Sequence, residues 1–423
     1  MKVAYFDAEY INKRNVGASM DNLEPYRDTI SEVIGSADFR KSPSSLATYR
    51  DAEMLESILN VTESLMGAEH VIVVGIGGSD LGTRAIHQVL SAGDAKQTAR
   101  LHTLGTVSET AMAELLVNLE SVDSADKLAI FVISKSGGTA ETLSNASVLL
   151  EHLTKRLGES VFTRTVFIGN PGNPLLEQGE KLGGQTLTMH EIIGGRYSVF
   201  TPVGLAPLTV LGYDVDAILR GVEAVMEGVH ESGAAEAAAL MYEYLQHDVR
   251  AVKYFAFNRQ MESVGNWWAQ LSAESLGKSE DVDGAPVSIG FVPIVETATN
   301  LHSTEQLYFS GFKGVYTDFV SLGQPTKKHF TISADNGLAE KYAGKTIGEV
   351  NHAIQKGVLE AYHDRKLPHR FTQLGKDTDH EVGLFMASRM LETMYLAHLM
   401  NIDAFNQPNV ELYKEKTRII LGT

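Results

Sequence analysis

The chain has 423 residues, of which 43% are hydrophobic and 21% are charged, so it can bury a large core and form about two or three domains. Its formal net charge of -17 argues against nucleic-acid binding, which relies on a basic face. The absence of cysteine excludes disulfides, thiolate metal ligands and a cysteine nucleophile. No uncharged stretch approaches the ~20 residues of a membrane span, and the first residues lack the apolar core of a signal peptide. We therefore expect a cytoplasmic protein that binds neither membrane nor nucleic acid.

The first half of the chain alternates short apolar runs with amphipathic stretches, a pattern typical of a parallel sheet with crossover helices. Its predicted strands are 71–74, 101–104, 128–133 and 162–168.

The second half of the chain predicts a second set of strands and helices. A helical stretch at 215–247 precedes it, and a final amphipathic helix at 381–399 leads to a polar tail from residue 406. Between them we predict strands at 251–257, 287–293 and 315–320 and helices at 267–276 and 303–309. The sequence therefore predicts an α/β fold with two mostly parallel, doubly wound sheets in series and flanking helices.

Two glycine-rich loops each follow a predicted strand directly. Residues 75–82 are Gly-Ile-Gly-Gly-Ser-Asp-Leu-Gly, and residues 134–139 are Ser-Lys-Ser-Gly-Gly-Thr. Backbone N–H groups in such loops converge on an anion, and the following helix adds the positive end of its dipole. The hydroxyls and ammonium of the second loop suit a sugar phosphate better than a nucleotide. The dinucleotide pattern fails because Asp80 replaces its third glycine, and 344–346 lacks the Walker glycine, whose place Ala339 takes.

Other groups able to do chemistry are isolated in the sequence. Gln270 and Glu274 are four residues apart on a predicted helix and share a face, although such pairs are usually solvated. His302 by itself is more often structural than functional. Arg196 follows two glycines, which would let its guanidinium approach a ligand or simply form a tight turn. Lys414, among other charged residues, indicates only a solvated face.

Together these segments resemble one family, the glucose-6-phosphate isomerases. Residues 191–204, Glu-Ile-Ile-Gly-Gly-Arg-Tyr-Ser-Val-Phe-Thr-Pro-Val-Gly, are similar to the family signature over their whole length. The tail at 405–414, Phe-Asn-Gln-Pro-Asn-Val-Glu-Leu-Tyr-Lys, is also similar, although a family member usually has Asp where this chain has Asn406. Five segments match in the same order from about residue 70 to 414, and the likeness is strongest to compact bacterial members.

The resemblance implies two sugar-isomerase (SIS) type domains. We expect a helical extension at 1–48, a first domain at 49–212, a second at 213–400, and a tail at 401–423 that carries Lys414. It also implies the reversible isomerisation of glucose 6-phosphate and fructose 6-phosphate, used in glycolysis and gluconeogenesis, by ring opening and proton transfer through a cis-enediol.

The resemblance assigns four catalytic roles. Glu274 matches the base that carries the proton between C1 and C2, and Arg196 matches the cation beside the enediolate. His302 and Lys414 match the pair that opens the pyranose ring. The implied substrate-binding residues are Gly78, Ser79, Ser134, Lys135, Ser136, Thr139, Gly195, Gln270 and Gln407.

The resemblance further implies a homodimer in which His302 enters the site of the partner subunit. The mechanism needs no cofactor and no metal. The sequence offers no zinc helix, since His190-Glu191 and His380-Glu381 both lack the second histidine.

Two rival functions stay open at this point. A non-catalytic sugar-phosphate sensor would keep residues 134–139 but could lose the acid-base groups, and a DNA-binding regulator would carry a basic helix pair that the first 50 residues do not resemble. An isomerase that also accepts mannose 6-phosphate would generally lack the signature around Arg196 in this form.

Overall fold

The computed structural model describes residues 1–91, 99–230, 233–323, 329–375 and 378–422. Within them the strands are β1 (Lys2–Phe6), β2 (His70–Val74), β3 (Arg100–Leu104), β4 (Leu128–Ile133), β5 (Thr165–Gly169), β6 (Gln185–Thr188), β7 (Ala251–Ala256), β8 (Val292–Thr297), β9 (Val315–Leu322) and β10 (His369–Leu374). The α-helices are α1 (Lys13–Ser36), α2 (Ala52–Glu63), α3 (Leu81–Leu90), α4 (Glu109–Asn118), α5 (Ala140–Leu157), α6 (Ser160–Thr163), α7 (Pro174–Lys181), α8 (Pro202–Val210), α9 (Val215–Glu227), α10 (Gly233–Gln246), α11 (Glu262–Leu276), α12 (Glu305–Phe309), α13 (Ile347–Asp364), α14 (Thr378–Leu399) and α15 (Glu411–Leu421).

The first sheet is parallel throughout, in the order β3-β2-β4-β5-β6. Every residue of β2 and of β4 is buried, because helices cover both faces and these strands are continuous apolar runs. The strand order reverses between β2 and β4, which pair in register with Val74 opposite Val132. Ligands of open α/β sheets bind outside the carboxyl ends of the strands at such a reversal. Both predicted glycine-rich loops begin there.

The second sheet has the order β1-β10-β9-β7-β8. All its pairs are parallel except β1 with β10. The long helix α14 packs against α9, α10, α11 and α1 and supplies much of the shared core. The predicted α/β class with two mostly parallel sheets is therefore confirmed.

The N-terminal segment differs from the expected helical extension. Residues Lys2–Phe6 form β1, an edge strand of the second sheet, before helix α1 begins at Lys13. Helix α1 packs against α10 and α14, and the side chain of Asn15 donates to Glu243 of α10 at 3.1 Å. The N-terminal segment is thus built into the second sheet and its helices. The domain boundaries near residues 48, 212 and 400 stay predictions.

Several predicted elements shift. The predicted strand at 162–168 is the end of helix α6 followed by β5. The predicted strand at 287–293 is wrong, because β8 starts at Val292, where its N–H donates to the Arg250 carbonyl at 2.8 Å. The apolar side chains that suggested it, at 287, 289 and 291, pack partly buried against the core outside the sheet.

The helical elements also differ in detail. The helical stretch at 215–247 is two helices, α9 and α10, with residues 231 and 232 outside the described part. The polar tail contains α15, which has no buried residue. Strands β1, β6 and β10 were not predicted. In the described residues, no helix is long and apolar enough to cross a membrane.

Candidate active site

The loop after β2 packs directly against the segment that carries Arg196. An ideal Cβ at Gly78 would lie 2.1 Å from the carbonyl carbon of Gly195, so no larger residue fits between the two backbones. The hydroxyl of Ser198 donates to the carbonyl oxygens of Gly78 at 3.3 Å and of Gly195 at 2.8 Å. A Cβ at Gly77, whose φ is +61°, would lie 2.9 Å from Nε2 of Gln270. The structure thus brings this loop, Gly195 and Gln270 together.

The loop at 134–139 joins β4 to the amino end of α5. The buried hydroxyl of Ser134 donates to Oγ1 of Thr139 at 2.9 Å, and the N–H of Gly138 donates to Oγ of Ser136 at 3.3 Å. Helix α5 has 18 residues and starts immediately after Thr139. The loop therefore gathers hydroxyls and N–H groups at the positive end of a long helix, an arrangement that binds phosphate.

Sequence reasoning missed a residue that holds this loop in shape. The side-chain amide of Asn173 donates to the carbonyl oxygens of Ser134 and Lys135 at 3.3 and 3.2 Å. Its oxygen accepts from the N–H of Leu176 and so caps helix α7. An Asn-Pro pair such as 173–174 is typical of a helix start, but nothing in the sequence indicates its contact with the loop.

Arg196 is at the centre of a buried hydrogen-bond network, with 1% of its side chain exposed. Its Nη1 contacts Oε2 of Glu274 at 3.3 Å. Its Nε donates to Oγ of Ser275 at 2.8 Å, and Nη1 also donates to Oε1 of Gln407. Its Nη2 donates to the carbonyl oxygens of Ala404 at 2.7 Å and Asn406 at 3.0 Å. Because all three nitrogens are engaged, the guanidinium is fixed in position and orientation.

Helix α11 presents Gln270 and Glu274 to this arginine. Their i,i+4 spacing lets Nε2 of Gln270 donate to Oε1 of Glu274 at 2.9 Å, while Oε2 faces Arg196. The Glu274 side chain keeps 26% of its surface exposed. A carboxylate held between an amide and a guanidinium, yet reachable from solvent, has the geometry of a general base.

A second missed residue, Lys278, fastens the tail to the end of α11. Its Nζ donates to the carbonyl oxygens of Glu274 at 2.6 Å and Asn406 at 2.7 Å. Burial, with the charge of Arg196 nearby, lowers the pKa of Lys278 to about 8. Burial also lowers the pKa of Lys135 in the loop at 134–139, the phosphate-type loop.

The structure places His302 and Lys414 outside the hydrogen-bond network of Arg196 and Glu274. His302 is exposed at the end of the 3₁₀ turn Ala298–His302, and Lys414 pairs with Glu411 on α15 at 2.8 Å. Helix α11 runs back from the carboxyl edge of the second sheet and carries Glu274 roughly 18 Å along its axis. His302 follows β8 directly and stays at that carboxyl edge. Among the described residues, neither side chain bonds to Glu274 or Arg196.

Asp80, in the first loop, is expected to make stability depend on pH. Only 3% of this residue is exposed. Burial raises its pKa from 3.8 to about 6, because the opposing effect of the nearby Arg84 charge is smaller. Between these values the folded state holds more protons than the unfolded state, so stability falls as pH rises and is lowest above pH 6. We expect Asp80→Asn to remove a cost on the order of 3 kcal/mol at pH 7.

The measurement for Asp80 is urea unfolding of both proteins from pH 4 to pH 7. The free energy of unfolding of the variant should exceed that of the wild type by little at pH 4. The difference should rise to its full value by pH 7. Parallel curves for the two proteins would show that Asp80 does not titrate with a raised pKa.

The described residues contain no cluster of three or more His, Cys, Asp or Glu arranged to hold a metal ion.

The chain is similar to known proteins over most of its length. A family model for phosphoglucose isomerase matches residues 54–422. The glucose-6-phosphate isomerase of Mycoplasma mobile is 30% identical over 97% of this chain and 98% of its own length, and that of Clostridioides difficile is 26% identical over 95% and 92%. A hypothetical protein of Thermus thermophilus superposes with a TM-score of 0.85 at 26% identity, with both chains covered completely. A glucose-6-phosphate isomerase of Chlamydia trachomatis superposes with a TM-score of 0.81 at 18% identity, covering 99% of this chain and 88% of its own.

Two mostly parallel sheets, with a hydroxyl-rich loop at one strand reversal and a carboxylate beside a fixed guanidinium, define an α/β enzyme of the sugar-phosphate isomerase class. Within that class, the match over residues 54–422 is decisive. The chain belongs to the phosphoglucose isomerase family.

Proposed function

We propose that this chain catalyses the reversible isomerisation of glucose 6-phosphate and fructose 6-phosphate through a cis-enediol, with Glu274 as the base. The observation that carries this proposal is the Glu274 carboxylate, held by Gln270 at 2.9 Å and Arg196 at 3.3 Å. An aldose becomes a ketose when the proton on C2 is removed and a proton is returned to C1. One carboxylate on one face of the planar enediol can do both, first as base and then as acid.

Arg196 would stabilise the negative charge that develops on the enediolate oxygens. A preorganised donor at such a position typically lowers the activation barrier by ~3 to 4 kcal/mol. Its orientation is fixed before substrate binds, because Ser275, Ala404 and Asn406 hold the guanidinium.

The phosphate does not react, so its loop supplies binding energy and orientation. Ser134, Lys135, Ser136 and Thr139 would bind it at the amino end of α5. Gly78, Ser79 and Gly195 would line the sugar between the two loops. Gln270 and Gln407 flank Glu274 and Arg196 and would contact the hydroxyls near the reacting carbons. Because a charged sugar phosphate does not cross a membrane unaided, we place the reaction in the cytoplasm.

Ring opening requires a proton for O5 and the removal of one from O1. We assign this exchange to His302 and Lys414, with His302 supplied by the partner in a homodimer. The exposed position of His302 and its separation from Glu274 within one chain support this assignment. Symmetric dimers are the commonest oligomers. In such a dimer each subunit can supply its His302 to the site of the other.

The test of the function is a coupled assay in which purified protein converts fructose 6-phosphate and the glucose 6-phosphate formed is measured with chelator present. We expect saturable turnover, and no turnover of fructose, which lacks the phosphate. A folded protein that binds the sugar phosphate without turnover would support the sensor instead. Comparable turnover of mannose 6-phosphate would support the broader isomerase.

The shared site is expected to show subunit complementation. Glu274→Gln and His302→Asn should each be nearly inactive alone. In a mixed dimer, Glu274 of one subunit meets His302 of the other, so one site of two is intact. Refolding the two variants together at equal amounts should restore about a quarter of wild-type activity, since about half of the dimers are mixed. Activity no higher than that of the parents would place His302 in its own subunit's site.

A further inference from the structure

Lys253, in the middle of the second sheet, is a fully buried cation that the proposed mechanism does not use. Its side chain has no exposed surface. Its Nζ lies 3.1 Å from Oε2 of Glu305, 3.7 Å from Oε2 of Glu296 and 2.7 Å from the hydroxyl of Tyr362. The same ammonium lies 3.7 Å from the centroid of the Tyr308 ring.

Such a cluster is not needed merely to fill a core. Taking one ammonium and two carboxylates out of water costs several kcal/mol for each ion, and well-packed apolar side chains of similar volume are often as stable or more stable. The buried charges instead provide directional contacts between particular segments, and the identity of those segments indicates what they do.

The two carboxylates lie on either side of the turn that ends in His302. Glu296 is near the end of strand β8, and Glu305 is the first residue of helix α12. Between them lies the 3₁₀ turn Ala298–His302. One ammonium therefore ties together the chain entering the turn and the chain leaving it.

Further contacts in the cluster hold the same two segments, one of them from helix α13. The hydroxyl of Tyr308, on α12, donates to Oε1 of Glu296 at 3.3 Å. The hydroxyl of Tyr362, on α13, donates to Oε1 of Glu305. The start of the turn is closed by Asn300, whose side chain accepts from the N–H of Thr297 at 3.0 Å. His302 itself is exposed and has no side-chain hydrogen bond within the described residues, so its position is set by the turn.

We propose that Lys253 is a positioning residue that, through Glu296 and Glu305, sets the place from which His302 takes part in ring opening. This inference rests on the proposed function and deepens it. The phosphate-type loop, Arg196 and Glu274 belong to other segments, so a change at Lys253 should leave sugar-phosphate binding intact. Misplacing a group by about 1 Å can cost roughly 100-fold in rate.

The first test variant is Glu305→Gln, which keeps the side chain's shape while removing the charge that faces Lys253. Lys253→Met is a more severe second variant, because it leaves two buried carboxylates without their cation. The control is Arg164→Met. Arg164 is another buried cation. It is bonded to the carbonyl oxygens of Leu128, Leu65 and other residues near the amino-terminal ends of the strands of the first sheet.

Three readouts separate positioning from general loss of stability. Exchange NMR measures the interconversion of the two anomers of glucose 6-phosphate, which reports ring opening alone. Steady-state kinetics separate kcat from KM. The imidazole NMR signal of His302, identified by its absence in His302→Asn, reports the histidine's surroundings without any need for activity.

For Glu305→Gln we expect kcat and anomer exchange to fall together by roughly 10- to 100-fold, with KM within about twofold and a displaced His302 signal. Arg164→Met should lower the unfolding temperature while keeping kcat and the His302 signal. An unchanged His302 signal in folded Glu305→Gln, or an equal loss of kcat in Arg164→Met, would overturn the proposal. A wild type that neither isomerises nor exchanges anomers would refute the proposed function, while the His302 signal would still decide the positioning claim.

Discussion

Replacing Glu274 with glutamine is expected to lower kcat for the isomerisation by roughly 10³- to 10⁴-fold, because an amide cannot carry a proton between C2 and C1. Glutamine has nearly the same shape and can keep the contact with Gln270. KM should therefore stay within about threefold, and exchange of the C2 proton with solvent deuterium should fall in step with kcat. Both quantities are measured on the same sample, one by the coupled assay and the other by NMR.

The matched control is Glu262→Gln, the same change at the other end of helix α11. It should leave kcat within about twofold, because that end lies roughly 18 Å from Glu274 along the helix. Retention of more than a tenth of wild-type activity in Glu274→Gln would remove Glu274 from the role of base.

Replacing Arg196 with lysine is expected to be almost as damaging, although the charge is kept. A lysine ammonium is a single point charge, whereas the guanidinium contacts Glu274, Ser275 and the tail at once. Removing those bonds leaves the buried carbonyl oxygen of Ala404 without its donor, so we expect about 3 kcal/mol of stability to be lost. The loss of oriented charge near the enediolate should lower kcat by roughly 10²- to 10³-fold.

Urea unfolding and steady-state kinetics below the unfolding transition separate these two losses. Arg164→Lys is the control, because Arg164 is also buried and bonded to carbonyl oxygens but lies far from Glu274. It should lose stability without losing kcat. An Arg196→Lys variant with wild-type kcat would show that the guanidinium has no electrostatic part in the reaction.

The predictable part of the fold was the part built from local patterns. Strands β2 and β4 are apolar runs, and each is followed by a glycine-rich loop, so both the strands and the loops could be identified. Strand β10 could not, because its sequence His-Arg-Phe-Thr-Gln-Leu contains charge at a buried position. Arg370 is tolerated there because carboxylates of Asp318 on β9 and Glu392 on α14 lie 2.7 and 3.0 Å from its guanidinium. Its pairing with β1 joins segments far apart in the sequence, which no local pattern reveals.

The residues of the site were likewise predictable only in part from the sequence. The residues around Glu274 and Arg196 were found through their likeness to a family, since a glutamine, a glutamate and an arginine have no pattern of their own. Asn173 and Lys278 were missed because both act on main-chain carbonyl oxygens of distant segments. A carbonyl has no residue-specific signature, so the sequence holds no trace of such contacts.

The tail that carries Lys414 is held at the site largely by its main chain. Arg196 binds the carbonyl oxygens of Ala404 and Asn406, and Lys278 binds the latter again. Every amino acid offers the same carbonyl, so substitution at 404 and 406 should be tolerated over evolutionary time as long as the two cations persist. This explains how the chain can carry asparagine at 406, where its family usually has aspartate, without losing the attachment. Natural variation should instead be restricted at Arg196, Lys278 and Gln407, whose side chains make the bonds.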